Sequence, residues 1–192
     1  TQGMIRIDDI ALDQWDPHHL RLSIGYLEQS PKLLFGTAIY NVTLKFPDAP
    51  IENIQRAIDV SGAARIFSRH PDGINMKIAE QGKGLSGGQV QSIALARTLV
   101  GNPKILLLDE PTSEMDQLSE QEFLQKMPAY LEGKTLIMVT HKQSLLRIVD
   151  RVIVLHNGKV LMDGAKNEVL GKIQESVSSE RRTTGPEASG TV

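Results

Sequence analysis

Residues 85–89 read Leu-Ser-Gly-Gly-Gln, and twenty residues after Leu85 the run Ile105-Leu106-Leu107-Leu108 ends in Asp109-Glu110. A glycine-rich turn opening a helix brings backbone N–H groups close to an anion, and the helix dipole favours negative charge there. Two carboxylates at the end of an apolar strand suit a metal ion and a general base. In this order the two segments point to nucleotide hydrolysis. The loop that cradles phosphates in many such enzymes, Gly-x-x-x-x-Gly-Lys-Ser/Thr, occurs nowhere in the 192 residues. Gly133-Lys134-Thr135 imitates its end, but the position that needs the first glycine is Pro128. That segment also lies between a helix and a strand, so it reads as a turn.

Asp109 and Glu110 end a strand apolar enough to be buried on both faces, at the end where open α/β sheets bind ligands. One carboxylate can hold Mg²⁺ through water and its neighbour can polarise an attacking water. The two residues alone do not separate this from a strand that simply ends in solvated charge. Ser86 followed by Gly87 and Gly88 forms either an anion site or a capped flexible loop. The following helix and acid-ended strand favour the anion site. His141 follows the apolar strand Leu136-Ile137-Met138-Val139-Thr140 and can reach a γ-phosphate; a lone histidine is more often a surface or capping residue. Gln29 ends the segment 24–28 and can offer its carbonyl to a metal or a water; alone, it reads as a polar loop residue.

The elements that position these groups can be placed from periodicity. Residues 4–8 alternate like a half-buried strand. Asp16-Pro17-His18-His19-Leu20-Arg21 opens a short helix after a turn, and Ile24-Gly25-Tyr26-Leu27 is a strand. Residues 37–70 carry helical spacing, with Ile51, Ile54, Ala57 and Ile58 as one apolar stripe and Ala63, Ala64, Ile66 and Phe67 as another. Residues 72–88 are loop-like. Val90, Ile93, Ala94, Leu95 and Leu99 predict a buried helix ending near Gly101-Asn102-Pro103. Strands then alternate with helices: 104–109, a helix near 117–127, 135–140, a helix near 142–148, and strands 151–156 and 159–163 around the hairpin turn Asn157-Gly158. Alternation of this kind argues for an α/β fold with a mainly parallel sheet, interrupted by a helical insert at about 37–100. From Ser176 onward the Ser, Thr, Glu, Gly and Pro content reads as a disordered tail.

Bulk properties narrow the classes. Hydrophobic residues make up 40% and charged residues 23%, enough for one domain with a core. A net charge of −2 gives no basic field for nucleic acid. Cysteine is absent, which removes disulfides and thiolate metal sites and suits a reducing compartment. No apolar run reaches the ~18–20 residues of a membrane span. The sequence opens on Thr1 and runs straight into Met4-Ile5-Arg6-Ile7, which reads as a piece cut from something longer.

These pieces in this order resemble the nucleotide-binding domain of ATP-binding-cassette (ABC) transporters over about residues 1–170, leaving 171–192 as a polar tail. By that resemblance the fold is a P-loop NTPase core with a helical subdomain at about 37–100. Residues 85–89 match the signature motif, residues 105–109 the Walker B strand, and Glu110 the catalytic base. Residues 113–116 match the D-loop, His141 the switch histidine and Gln29 the Q-loop glutamine. Asp16-Pro17, Leu20-Arg21, Ile24-Gly25-Tyr26, Leu34-Phe35-Gly36-Thr37 and Asn41 look like exporter-type cassettes, most like bacterial type I protein-secretion exporters. Glu80-Gln81-Gly82 resembles the exporter segment that meets the membrane domain. The D-loop departs from the usual Ser-Ala-Leu-Asp as Ser113-Glu114-Met115-Asp116, Val90 stands where a basic residue is common, and Glu28 where proline is frequent.

The resemblance implies ATP and Mg²⁺ as cofactors. Asp109 would bind the metal through water with help from Gln29. Glu110 and His141 would act on the attacking water and the γ-phosphate. Ser86, Gly87, Gly88, Gln89 and Asp116 would serve the nucleotide across a head-to-tail dimer with a second cassette. A transmembrane domain is the other implied partner, placing the chain at the cytoplasmic face of the inner membrane, with no nucleic acid involved. The family's Walker A loop, adenine-stacking aromatic and first core strand precede the part matched from Thr1. The chain alone is therefore expected to be inactive, with an unpaired sheet region and exposed apolar surface. The alternative is a non-catalytic module lending its signature in trans to a complete cassette. A DNA-repair or translation ATPase is disfavoured by residues 34–37 and by the lack of coiled-coil heptads or a basic patch.

Overall fold

The computed structural model describes residues 3–183. It divides into two compact units, Thr1–His141 and Lys142–Val192.

The first unit opens with a ribbon, β1 (Arg6–Ile7) antiparallel to β2 (Ile10–Ala11). The strand expected over 4–8 stops at Ile7 because Asp8 and Asp9 both take left-handed conformations, φ 49° and 64°. Aspartate tolerates that region, and two such residues make a tight hairpin turn. Helix α1 (Pro17–Ser23) has proline at its first position and Asp16 as its cap, accepting from the His19 amide at 2.8 Å. It leads into β3 (Ile24–Leu27).

The insert then unfolds as β4 (Gly36–Thr37), α2 (Ala38–Thr43), α3 (Ile51–Val60), α4 (Ala64–Arg69) and β5 (Lys77–Ile78), with β4 and β5 antiparallel. In α3 the buried residues are Ala57 and Val60, whereas Ile51 is exposed, so the apolar stripe is shifted toward the C-terminal end. Buried Asn41 on α2 accepts from the Leu34 amide and from Arg97 Nη2, at 2.8 and 2.6 Å. This ties the insert to α5 (Gly87–Leu99). Helix α5 is buried nearly all round, polar Gln91 and Ser92 included, and is the centre of the core: Ile93, Leu95 and Ala96 are fully enclosed.

After α5 come β6 (Ile105–Asp109), α6 (Gln117–Tyr130) and β7 (Thr135–Val139). Strands β3, β6 and β7 form a parallel sheet in that order, with Tyr26, Leu107 and Ile137 in register. On one face Leu27, Leu106 and Leu108 are buried. Gly25 lets β3 approach α5, because an added Cβ would lie 2.9 Å from the Thr98 carbonyl and 2.8 Å from Leu106. The other face is open: Tyr26, Ile137 and Val139 are exposed and Leu107 is half-buried. Strand β6, expected to be buried on both sides, is thus fully covered on only one.

The second unit starts with a helix where one was expected near 142–148; it is a 3-10 helix, Gln143–Ile148. Then β8 (Arg151–His156) and β9 (Lys159–Ala165) pair antiparallel around Asn157 and Gly158, both left-handed, as the dipeptide predicts. Arg151 grips Asp163 across the ribbon with two 2.7 Å bonds, and that guanidinium lowers the Asp163 pKa. Helix α7 spans Lys166–Thr183, so much of the segment expected as a disordered tail is helical. Val169, 3% exposed, anchors it in this unit. The rest of that expected tail, 184–192, lies outside the described residues. No helix among the described residues is long and apolar enough to cross a membrane.

Candidate functional site

Because β3, β6 and β7 are parallel, their C-terminal ends share one edge of the sheet. The chain places Gln29 beyond β3, Asp109-Glu110 at the end of β6, and Thr140-His141 beyond β7. Ligand sites in open α/β sheets sit at this edge. Glu110 extends the ladder by one step, donating its amide to the Val139 carbonyl at 2.9 Å. Its φ of 45° turns the chain away from the strand. A left-handed non-glycine residue costs on the order of 1–3 kcal/mol, and such strain persists where the surroundings over-determine it.

Here the surroundings are His141 and Thr140. Glu110 Oε1 accepts from the His141 amide at 3.0 Å and lies 2.7 Å from His141 Nδ1. Thr140 Oγ1 donates to Oε2 at 3.3 Å. The Glu110 carboxylate is nearly enclosed while the His141 side chain is 76% exposed. The structure therefore brings Glu110 and His141 together as a pair. Nδ1 faces the carboxylate, and Nε2 remains for a ligand on the solvent side. Gln29 is exposed and stands apart from this pair in bonding, although it shares the edge.

The glycine-rich turn forms a capping box. Ser86 Oγ accepts from the Gln89 amide at 3.3 Å, and the Ser86 amide donates to Gln89 Oε1 at 2.9 Å. Ser86 and Gln89 thus brace the turn, leaving Gly87 and Gly88 as the first helical residues. This turn lines a cavity of about 310 Å³ together with Arg65, Arg69 and Asp116. Sequence reasoning missed the two arginines, because their placement depends on how α4 packs beside the turn. Arg65 lies 3.6 Å from Glu122.

Asp116 caps α6, its Oδ1 accepting from the Ser119 amide at 2.7 Å. That bond lowers its pKa below the usual carboxylate value. A lowered pKa means the cap stabilises above the unfolded-state value near ~3.9 and is lost as pH falls through the folded value. We expect Asp116→Ala to cost about 1 kcal/mol in urea unfolding at pH 7. The difference from wild type should shrink as pH falls through the acid range.

Buried Gln91, 1% exposed, also escaped the sequence reading. Its only signal was a polar residue within the apolar run of α5. Its Nε2 donates to the Glu110 carbonyl at 2.8 Å and to Ser113 Oγ at 3.2 Å, and its Oε1 accepts from the Glu114 amide at 2.9 Å. Among the described residues no three His, Asp or Glu side chains group to hold a metal. Mg²⁺ ordinarily takes one or two protein carboxylates and completes its shell with water and phosphates. Asp109, half-buried at the ligand edge, fits that need.

A family model described as "ABC transporter" matches residues 1–113. The chain belongs to the ABC transporter family. Among curated ABC proteins it is 39% identical to the alpha-hemolysin translocation ATP-binding protein HlyB of Proteus vulgaris, over 88% of this chain and 24% of that protein. It is 40% identical to the leukotoxin translocation ATP-binding protein LktB of Mannheimia haemolytica over the same shares. The multidrug resistance protein homolog 65 of Drosophila melanogaster is 37% identical over 88% of this chain and 13% of its own. The ABC chain thus spans about a quarter of the length of its toxin-translocation relatives. A solved bacterial Atm1-family ABC exporter with ATP bound superposes with a TM-score of 0.83 and 30% identity, over 97% of this chain and 33% of that one. The α/β ABC ATPase fold, with its parallel sheet and exporter-type likeness, is therefore that of the family.

Proposed function

We propose that this chain is part of the ATP-hydrolysing cassette of an ABC exporter, coupling hydrolysis to export of a protein or peptide. The observation that carries the reading is the Glu110–His141 pair at 2.7 Å on the ligand edge of a parallel sheet. Glu110 is the general base: its carboxylate, fixed by Thr140 and the His141 amide, orients and polarises the attacking water. His141 turns Nε2 to the γ-phosphate while Nδ1 keeps its hold on Glu110. Asp109, with Gln29 beyond β3, would hold Mg²⁺. Bound there, the metal supplies charge stabilisation at the phosphoryl oxygens.

The Ser86–Gln89 turn serves a nucleotide held by a second, head-to-tail cassette, with its glycine N–H groups aimed at the γ-phosphate. Asp116 completes that interface. A transmembrane domain is the second partner, and the assembly works at the cytoplasmic face of the membrane. The identity of 39–40% with toxin-translocation proteins supports protein or peptide cargo.

No phosphate-cradling loop stands among these 192 residues, so the chain alone is expected to hydrolyse no ATP. The check is phosphate release by the purified chain against Glu110→Gln; activity well above that variant would overturn this part of the proposal. The alternative, a signature module acting in trans, would instead show as stimulation of a complete cassette's ATPase that Ser86→Arg abolishes.

A further inference from the structure

Gln91 is a large polar side chain in a place where an apolar one would pack. Burying an unpaired amide is costly, so its bonds must compensate, and all of them go to one short segment. The Glu110 carbonyl can only accept, which puts Nε2 on that side. The Glu114 amide can only donate, which puts Oε1 on the other. Ser113 Oγ takes the remaining Nε2 hydrogen. The Glu110 carbonyl also accepts from the Ser113 amide at 3.1 Å. One carboxamide thus spans both ends of the turn that carries Glu110.

Gln91 sits on α5 two residues after the end of the Ser86–Gln89 turn. We infer that Gln91 is a positioning residue that passes displacement of the Ser86–Gln89 turn to the backbone of Glu110. Its functional meaning rests on the reading proposed above. There the turn serves the partner's nucleotide and Glu110 serves the chain's own, so Gln91 links two ATP sites through one side chain. The same elements also approach closely at Gly88, where an added Cβ would meet the Glu114 carbonyl at 2.6 Å, but this approach reaches Glu114 and bypasses Glu110.

The test is a double-substitution cycle read by backbone-amide NMR of the chain without nucleotide. Its outcome is therefore separate from whether the ATPase reading holds. Ser86→Ala is the perturbation at the turn. In the wild-type background it should move the Gly87 and Gly88 signals and also those of Glu110 and Ser113. In a Gln91→Met background the Gly87 and Gly88 shifts should persist, while those of Glu110 and Ser113 fall severalfold. Equal shifts at Glu110 and Ser113 in both backgrounds would overturn the inference and assign the link to the Gly88–Glu114 contact. Absence of those shifts in wild type would overturn it too. If Gln91→Met does not fold, Gln91→Asn replaces it: the amide is retained but withdrawn by one methylene, and the same loss is expected.

Discussion

Glu110→Gln, in an assembly that supplies the phosphate loop, should lower steady-state ATPase by about 10²–10⁴-fold, the usual weight of a positioned general base. The substitution is close to isosteric. A glutamine Oε1 can still accept from the His141 amide, as Glu110 Oε1 does at 3.0 Å, so the left-handed turn at residue 110 keeps its support. What disappears is the negative charge that faces the His141 ring and that the proposed mechanism uses to polarise water. ATP binding should therefore survive while turnover falls, separating kcat from affinity. Phosphate-release kinetics with a parallel nucleotide-binding assay decides it. Equal loss of binding and turnover would mean that Glu110 holds the turn together rather than acting on water.

His141→Ala tests the same pair from the other side with a smaller expected loss, since the base keeps its charge and its bond from Thr140.

How far the sequence carried depends on whether an element's environment is written locally. The turn 85–89, the strand end at 109 and the Asn157-Gly158 hairpin all have short-range signals, and each lies where expected, while the strand expected over 135–140 ends one residue early at Val139. The expected stripe on α3 slid because what covers a helix is set by its neighbours, here α5 and α6. The strand 4–8 was cut short by Asp8-Asp9, a turn whose chemistry the alternation of 4–8 concealed. Strand β6 is uniformly apolar, yet one of its faces is open in this unit; composition records what a strand can tolerate on each side, and the number of covering layers is a tertiary fact. Residues 176–183, expected in a disordered tail, continue α7 to Thr183, because polar composition hides the anchoring that Val169 gives to that helix. At the site, Glu110 and His141 stood out at strand ends and took their roles from the family resemblance, and their contact follows from parallel pairing of β6 with β7. Gln91, Arg65 and Arg69 were invisible, since nothing local tells a buried polar clamp from a surface residue on the same helix.

Gly88→Ala separates helix propensity from packing. At the second position of α5, alanine should stabilise an isolated helix by up to about 1 kcal/mol relative to glycine. In the folded chain the added Cβ would stand 2.6 Å from the Glu114 carbonyl, a backbone atom that cannot swing aside as a side chain can. At Gly87 the nearest atom is the tip of the Glu114 carboxylate, also at 2.6 Å, which can. Restoring ordinary contact at Gly88 needs a displacement of about 1 Å, at an overpacking cost of roughly 1–3 kcal/mol. Gly88→Ala should therefore be the less stable of the two variants in urea unfolding, with Gly87→Ala near wild type. The displaced segment is the one whose other end Gln91 fixes to Glu110. A misplacement of about 1 Å at catalytic groups costs on the order of 10²-fold in rate, so ATPase in the complete assembly should fall by about that factor. Equal stability and equal activity for the two glycine variants would show that the segment gives way freely and that Gly88 serves the nucleotide alone.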